Sequence, residues 1–283
     1  MTSPSHDTIP YFDTLFEQMQ QDSVLGQAFS KHVHWGYWSE PEHAELTLAS
    51  FLNAADNMTL QHFKAANINH HQTILDTGCG FGGSLALLNE HYQHMELHGV
   101  NIDARQIARA ETTVLAKPGS GNSLAFKVGD ACYLDYPDNY FDNVLAVECI
   151  FHFPSRSSYF QQIRRVLKPG GRLIISDFLV NSATSLIFAC FCLPYLGLMK
   201  KYYGELGEPM TLAKYQKLAD ATGLNLTNNI NITKGTLPTY RFLEQHINAT
   251  GIEAKEMTKL YRFQHLVSRL DFHRYSILTF DKT

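Results

Sequence analysis

The stretch Thr73-Ile74-Leu75-Asp76-Thr77-Gly78-Cys79-Gly80-Phe81-Gly82-Gly83-Ser84 constrains the fold more than any other part of the chain. A short apolar run ends in an acid, a glycine-dense turn follows, and Leu85, Leu87 and Leu88 then open a helical pattern. That order describes a strand entering a tight loop and a helix N-terminus. Glycine lets the backbone turn sharply and approach a bound nucleotide where a Cβ would clash. Gly78, Gly80 and Gly83 meet the G-x-G-x-x-G spacing of dinucleotide binders, so the loop alone leaves the ligand open. Asp76 narrows the choice. A carboxylate two residues before the first glycine is unfavourable beside a pyrophosphate and favourable near a cationic ligand. The plain structural alternative is a strand–turn–helix corner without a ligand.

The 283 residues suit one large α/β domain or a core with a cap. An apolar share of 45% is enough for a sizeable core and argues against disorder. A net charge of −4, with no basic run, argues against nucleic acid as the main partner. Cys79, Cys132, Cys149, Cys190 and Cys192 have no metal-ligand spacing, and Cys190-Phe191-Cys192 is too close-set for the usual zinc pair. No metal is expected. The odd, scattered set reads as reduced thiols of a cytoplasmic protein. The start, Met1 to Asp7, lacks the basic segment and apolar core of a signal peptide.

The first ten residues read as a loose tail, and Tyr11 to Gln27 as a helix with Phe12, Leu15, Phe16 and Met19 at helical spacing. His32-Val33-His34-Trp35-Gly36-Tyr37-Trp38 is an aromatic-rich turn, which either packs a cap onto the core or forms a lip over a ligand. Glu45 to Ala66 is a further amphipathic helix. Beyond the glycine loop, strand-like and helix-like runs alternate. The strands are Met95 to Ile102, Leu124 to Val128, Asn143 to Val147 and Leu173 to Ser176. In such open sheets ligands sit beyond the carboxyl ends of the strands, so Glu148 and His152 are expected to face one.

The string Leu75-Asp76-Thr77-Gly78-Cys79-Gly80-Phe81-Gly82-Gly83 resembles the first motif of class I S-adenosylmethionine (SAM)-dependent methyltransferases. The turn Leu167-Lys168-Pro169-Gly170-Gly171 is similar to one typical of the same class, and the resemblance is nearly continuous from Ile74 to Phe178. It implies a Rossmann-like α/β fold: a seven-stranded, mostly parallel sheet with an antiparallel last strand. Residues 1–70 would form a helical N-terminal cap with a cofactor lip, 71–180 the SAM-binding core, and 181–283 a substrate lid plus the last two strands.

The resemblance also implies a cofactor site. Gly78, Cys79 and Gly80 form its loop, and Asp76 acts on the amino-acid end of SAM through the loop or a bridging water. Asn101, with Ile102 beside it, matches a ribose-binding position that is Asp or Glu in most members. Asp103 is read as the cap of the next helix rather than as a second ribose ligand. Gln106 would lie along the adenosine. Asp130 would accept from the adenine amine and the Ala131 amide would donate to a ring nitrogen. The His-x-Gly-Tyr-Trp-like segment is similar to the N-terminal element of small-molecule methyltransferases. Trp35 and Tyr37, with Tyr11, would present π-faces to the sulfonium. Glu148 is expected to contact the cofactor.

His152 is the candidate general base, since a near-neutral imidazole suits an oxygen acceptor. Asp177 would orient it or bind the acceptor hydroxyl. This constellation looks like that of natural-product sugar O-methyltransferases, although the first of their two consecutive histidines is Phe151 here. In a chain with fourteen histidines, a structural histidine and a loop aspartate are the alternative. Asn181 to Tyr203 is strongly apolar, interrupted by Pro194 and Gly197, and too short and broken to span a bilayer. It is read as a lid over an apolar substrate, or else a buried helix or homodimer contact. Thr211 to Gly223 reads as a capped helix, Leu224 to Ile232 as a strand, Gly251 to Leu270 as a helix and Tyr275 to Phe280 as the last strand.

The leading expectation is SAM-dependent O-methylation of a small, partly apolar metabolite in secondary metabolism. C- or N-methylation of a prenyl, sterol or polyketide-like acceptor is the alternative, since similar motifs occur in the tocopherol and sterol methyltransferases. An NAD-dependent oxidoreductase is disfavoured because Tyr136, Tyr140 and Tyr159 have no lysine four residues on. A non-catalytic SAM-binding protein is the remaining class.

Overall fold

Residues 9–283 are described by the computed structural model. Seven strands form one sheet: β1 (Thr73–Thr77), β2 (Glu96–Asn101), β3 (Ser123–Val128), β4 (Phe141–Ala146), β5 (Leu167–Val180), β6 (Asn225–Asn231) and β7 (His273–Asp281). Their order is β3-β2-β1-β4-β5-β7-β6, and β7 alone runs against its neighbours. Fold class and the antiparallel last strand therefore match the expectation. Ile74, Leu75, Val144, Leu145, Ile174 and Ile175 are fully buried, so neighbouring residues on both faces of the central strands are covered. Chain order reverses between β1 and β4, which opens a cleft at their carboxyl ends.

Helices α1 (Pro10–Gln20), α2 (Val24–Ala28) and α3 (Leu48–Ala66) precede the sheet. Next come α4 (Gly83–His91), α5 (Ala104–Thr113) and α6 (Arg156–Val166), which connect strands. The rest are α7 (Ser185–Cys192), α8 (Leu196–Tyr203), α9 (Leu212–Thr222), α10 (Thr233–Gln245) and α11 (Gly251–Arg269). Their caps are legible in the sequence. Thr47, Asp103, Ser155 and Thr211 each accept a first-turn amide at the starts of α3, α5, α6 and α9, and Gly223 ends α9 at φ 73°.

Two local expectations need correction. The helix read over Tyr11 to Gln27 is two: Asp22 adopts φ 51°, and the Ser23 hydroxyl then caps α2 by accepting from Gly26 N at 3.0 Å. The run Lys168-Pro169-Gly170-Gly171 lies inside an extended β5 rather than ahead of it, since Gly170 N donates to Lys282 O and Lys282 N to Gly171 O. The lid stretch is α7 and α8 joined by a 3-10 turn at Leu193–Tyr195, and among the described residues no helix is long and apolar enough to cross a membrane. Most of the presumed loose tail lies outside the described residues.

Helix α10 has no counterpart in the sequence reading. Gly235, Thr236, Pro238 and Thr239 are poor helix formers, yet they are buried in the first turns of the helix. Packing overrides propensity there: Phe242 stacks on Phe51 of α3 with ring centroids 4.4 Å apart. The aromatic turn 32–38 is strung between these elements by its backbone. Tyr37 N donates to Ala54 O at 2.8 Å, Trp38 N to Gly235 O at 2.9 Å and Gly36 N to Thr239 Oγ1 at 3.2 Å.

Candidate cofactor and acceptor site

The glycine loop leaves β1 and bends over β2. Gly78 N and Cys79 N both donate to Val100 O, at 2.7 and 3.1 Å. Gly78 and Gly80 have φ of 72° and 55°, the left-handed region in which a side chain is strained. A Cβ on Gly78 would stand 2.8 Å from the Cys149 side chain. Gly78→Ala is thus expected to cost about 1–2 kcal/mol from the backbone alone. Thermal unfolding reads that loss, and equilibrium titration should show weaker cofactor binding.

The loop forms one wall of a cleft. Gly78, Gly80, Asn101, Ile102, Gln106, Asp130 and Ala131 line it together, joining β1, β2, α5 and the loop after β3. Asn101 Nδ2 donates to Gln106 Oε1 at 2.9 Å, leaving Gln106 Nε2 a buried donor without a partner among the described residues. A buried orphan donor in a ligand cleft is a fit for a polar ligand atom. Asp130 lines the same cleft, and its Oδ1 accepts from Cys132 N at 2.8 Å. Asp103 caps α5 by accepting from Arg105 N at 2.8 Å, and Arg105 reaches back to Asp13 of α1 at 2.7 Å.

Asp76 and Cys79 lie behind this wall and do not line the cleft. Cys79 is buried against Gly99, so it is a packing residue beneath the loop, contrary to the expectation of direct contact. Asp76 is 2% exposed; burial pushes its carboxyl up to about 7, against a weaker opposing hydrogen bond from Ser84.

The other wall comes from β4 and α1. Glu148 follows β4 with φ 52°, an uncommon conformation for a non-glycine residue and one that clusters at functional sites. Its Oε2 accepts from Trp35 N at 2.8 Å and from the Tyr275 hydroxyl at 2.6 Å. Burial nevertheless raises the carboxyl to about 8. His152 lines the cleft, with Nε2 3.3 Å from the Tyr11 hydroxyl. Burial lowers its imidazole to about 4, partly opposed by a hydrogen bond to the Glu205 backbone. At neutral pH it is an uncharged ring.

Two expected roles do not hold here. Asp177 does not touch His152 among the described contacts. Its carboxylate pairs with Arg156 Nη2 at 3.3 Å, accepts from the Tyr215 hydroxyl and caps Phe178 N at 2.8 Å. It ties the tip of β5 to α6 and α9. Trp35 and Tyr37 do not line the cofactor cleft either. The Tyr37 ring packs on Gly235 of α10, where a Cβ would come within 2.4 Å. The Trp35 ring meets Tyr240, Phe178 and Tyr275, with centroids 4.4, 5.1 and 6.1 Å away. Tyr11 does face the cleft, and from the aromatic turn the residue that does so is Val33.

Sequence reasoning missed the aromatic wall. Phe178 stacks on Tyr275 at 4.4 Å and on His273 at 4.8 Å, and Phe188 of α7 stacks on His273 at 5.7 Å. The wall runs from the Glu148 carboxyl to the lid. Its members come from β5, β7, α7 and α10, so only the register of distant segments brings them together; Phe178 and Tyr275 are direct cross-strand partners.

Residues 75–175 match the family described as a methyltransferase domain. The chain carries a methyltransferase domain, and the relatives it matches are methyltransferases. It is 28% identical over 227 residues to methyltransferase GfsG of Streptomyces halstedii, an alignment covering 78% of this chain and 75% of that one. It is 26% identical to O-methyltransferase resE of Aspergillus sclerotiorum, over 93% and 94% of the two chains. The fold matches the structure of geranyl diphosphate C-methyltransferase from Streptomyces coelicolor A3(2) in complex with Mg2+, geranyl diphosphate and S-adenosyl-L-homocysteine, with TM-score 0.70 and 17% identity over 94% and 98%. The cofactor is SAM. The chain's donor set fits it: an orphan amide and the Asp130 carboxylate for the nucleoside, and the buried Asp76 behind the loop for a cationic end.

Proposed function

We propose that this methyltransferase methylates an oxygen of a small, partly apolar metabolite, with His152 as general base. SAM supplies a methyl on a sulfonium, a leaving group that needs no further activation. The chain's own work is then to position the acceptor, exclude water and take up one proton. The observation that carries the reading is His152 itself: a neutral imidazole lining the cofactor cleft, beside the Tyr11 hydroxyl and with no carboxylate bound to it. Tyr11 holds the ring in place. The aromatic wall offers an apolar acceptor a surface, and the full-length relatives named as O-methyltransferases support the choice of oxygen. We assign the cap to residues 1–70, the cofactor core to 71–180 and the lid with the last strands to 181–283.

The test is a screen of phenolic, sugar and prenyl-chain acceptors, followed by pH–rate profiles. His152→Ala is expected to lower kcat by about 100-fold or more. Because the imidazole is lowered to about 4, it loses its proton as pH rises through that value. The acid limb of kcat/KM therefore falls near pH 4 and the profile is flat across neutrality. The limb disappears in His152→Ala. The aromatic wall favours one second reading, C-methylation of an apolar acceptor. Full activity of His152→Ala, with the new methyl on carbon, would establish it in place of the first.

A further inference from the structure

The lid has two faces. Its inner face, with Phe188, Cys192, Tyr195 and Met199, packs on Phe263, Val267 and Phe272. Its outer face exposes Leu186, Ile187, Phe191, Leu193 and Leu196, each about half exposed or more, and Leu186 at 83%. No charged residue occurs from Ser185 to Met199, and Lys200 and Lys201 follow directly. Contiguous exposed apolar surface of this kind marks an interaction site.

The chemistry beside it is cationic. A groove between Tyr195 and α11 is lined by Lys255, Lys259 and Arg262, with Leu266 half exposed at its edge. The three cations recur at helical spacing on one stripe of α11. Lys259 Nζ lies 5.2 Å from the Tyr195 ring centroid, and neither Lys255 nor Lys259 has a carboxylate partner among the described residues. Unpaired cations rimming an apolar face stand out on a chain of net charge −4.

We propose that this face docks on an anionic lipid surface. The lid's apolar side chains would enter the headgroup–acyl boundary, while the α11 stripe meets lipid phosphates. A second copy of the chain fits less well. Of the nearby carboxylates that could answer its cations, Glu205, Glu244 and Glu256 are already paired with Lys200, Arg262 and Lys201 of the same chain, which leaves Glu253 of α11 against the two lysines. One consequence rests on the function proposed above. The inner face of α7 continues through Phe188 and His273 into the aromatic wall, so a lipophilic acceptor leaving the bilayer would pass directly to the cleft.

Flotation of the full chain tests the docking without cofactor or acceptor. The probes are vesicles of phosphatidylcholine alone and of phosphatidylcholine with phosphatidylglycerol in equal parts. Binding to the anionic vesicles is expected to exceed binding to the neutral ones by about tenfold at low salt and to fall at high salt. Lys255→Glu/Lys259→Glu and Leu186→Ser/Leu193→Ser should each weaken it about tenfold, with circular dichroism and thermal unfolding unchanged. The lysine pair is exposed and does not depend on the lid remaining folded. Absence of flotation, or flotation that the lysine pair leaves intact, overturns the proposal. So does a dimer in sedimentation that the leucine pair dissociates while vesicles stay unbound. A chain that floats but methylates nothing keeps the docking and removes the proposed function; methylation of acceptors without flotation does the reverse.

Discussion

Asp177→Ala is expected to destabilise the fold by about 3 kcal/mol and to change the chemistry little. The carboxylate is 2% exposed and the Arg156 side chain 10%, so removing one partner strands a buried guanidinium charge. The loss lies at the lower end for such pairs because Arg156 Nη1 keeps the Glu208 carbonyl, 3.3 Å away. For a chain of this size that is a fall in Tm of roughly 5–10 °C. Asp177→Asn retains an acceptor for Tyr215 and Phe178 N and should fall between. Steady-state kinetics well below the transition complete the test. A wild-type Tm together with a hundredfold lower kcat would return Asp177 to the reaction and show that the ion pair is incidental.

The second large effect concerns the cofactor. Asp76→Ala is expected to weaken SAM binding by about 1.5–3 kcal/mol, roughly 10- to 150-fold, the worth of a charge–charge attraction felt across the loop at an effective dielectric of about 20. Its pH dependence has a definite sign. Burial holds the carboxyl at about 7, so below that pH it is largely protonated. A cation favours the ionised form, so affinity should climb as pH rises toward 7 and level off above it. Calorimetry in buffers of different ionisation enthalpy should detect proton release on binding, much of it absent in Asp76→Asn. The remainder would come from Glu148, held at about 8. A wild-type affinity flat from pH 5.5 to 8 would show that Asp76 does not sense the ligand's charge.

The cofactor half was legible because its determinants are local. A glycine that must adopt positive φ, a strand-end amide and a helix cap are each specified within a few residues. Asn101 and Gln106, singled out from the resemblance, share one cleft wall and bond each other. Trp35, Tyr37 and Asp177 were harder to read for the opposite reason. Trp35 and Tyr37 sit in a turn whose hydrogen bonds run to α3, α10 and the tip of β4, so their directions depend on helices far along the chain. Asp177 looked free at a strand tip because its partners, Arg156 and Tyr215, lie in elements packed behind it.

The sequence by itself determined the strand–loop–helix at 73–84, the alternation that makes a doubly wound sheet, and the ligand-facing ends of β1, β2 and β4. Short-range sterics and hydrophobic periodicity suffice for these. Only the tertiary structure decided which side chains form the aromatic wall. The antiparallel register of β7 sets Tyr275 opposite Phe178, and a slip of one residue would turn that ring to the other face of the sheet. Packing against α3 made a helix of the Gly235–Thr239 stretch. Burial, which no local pattern encodes, raised the Asp76 and Glu148 carboxyls and lowered the His152 imidazole, leaving that ring uncharged at neutral pH.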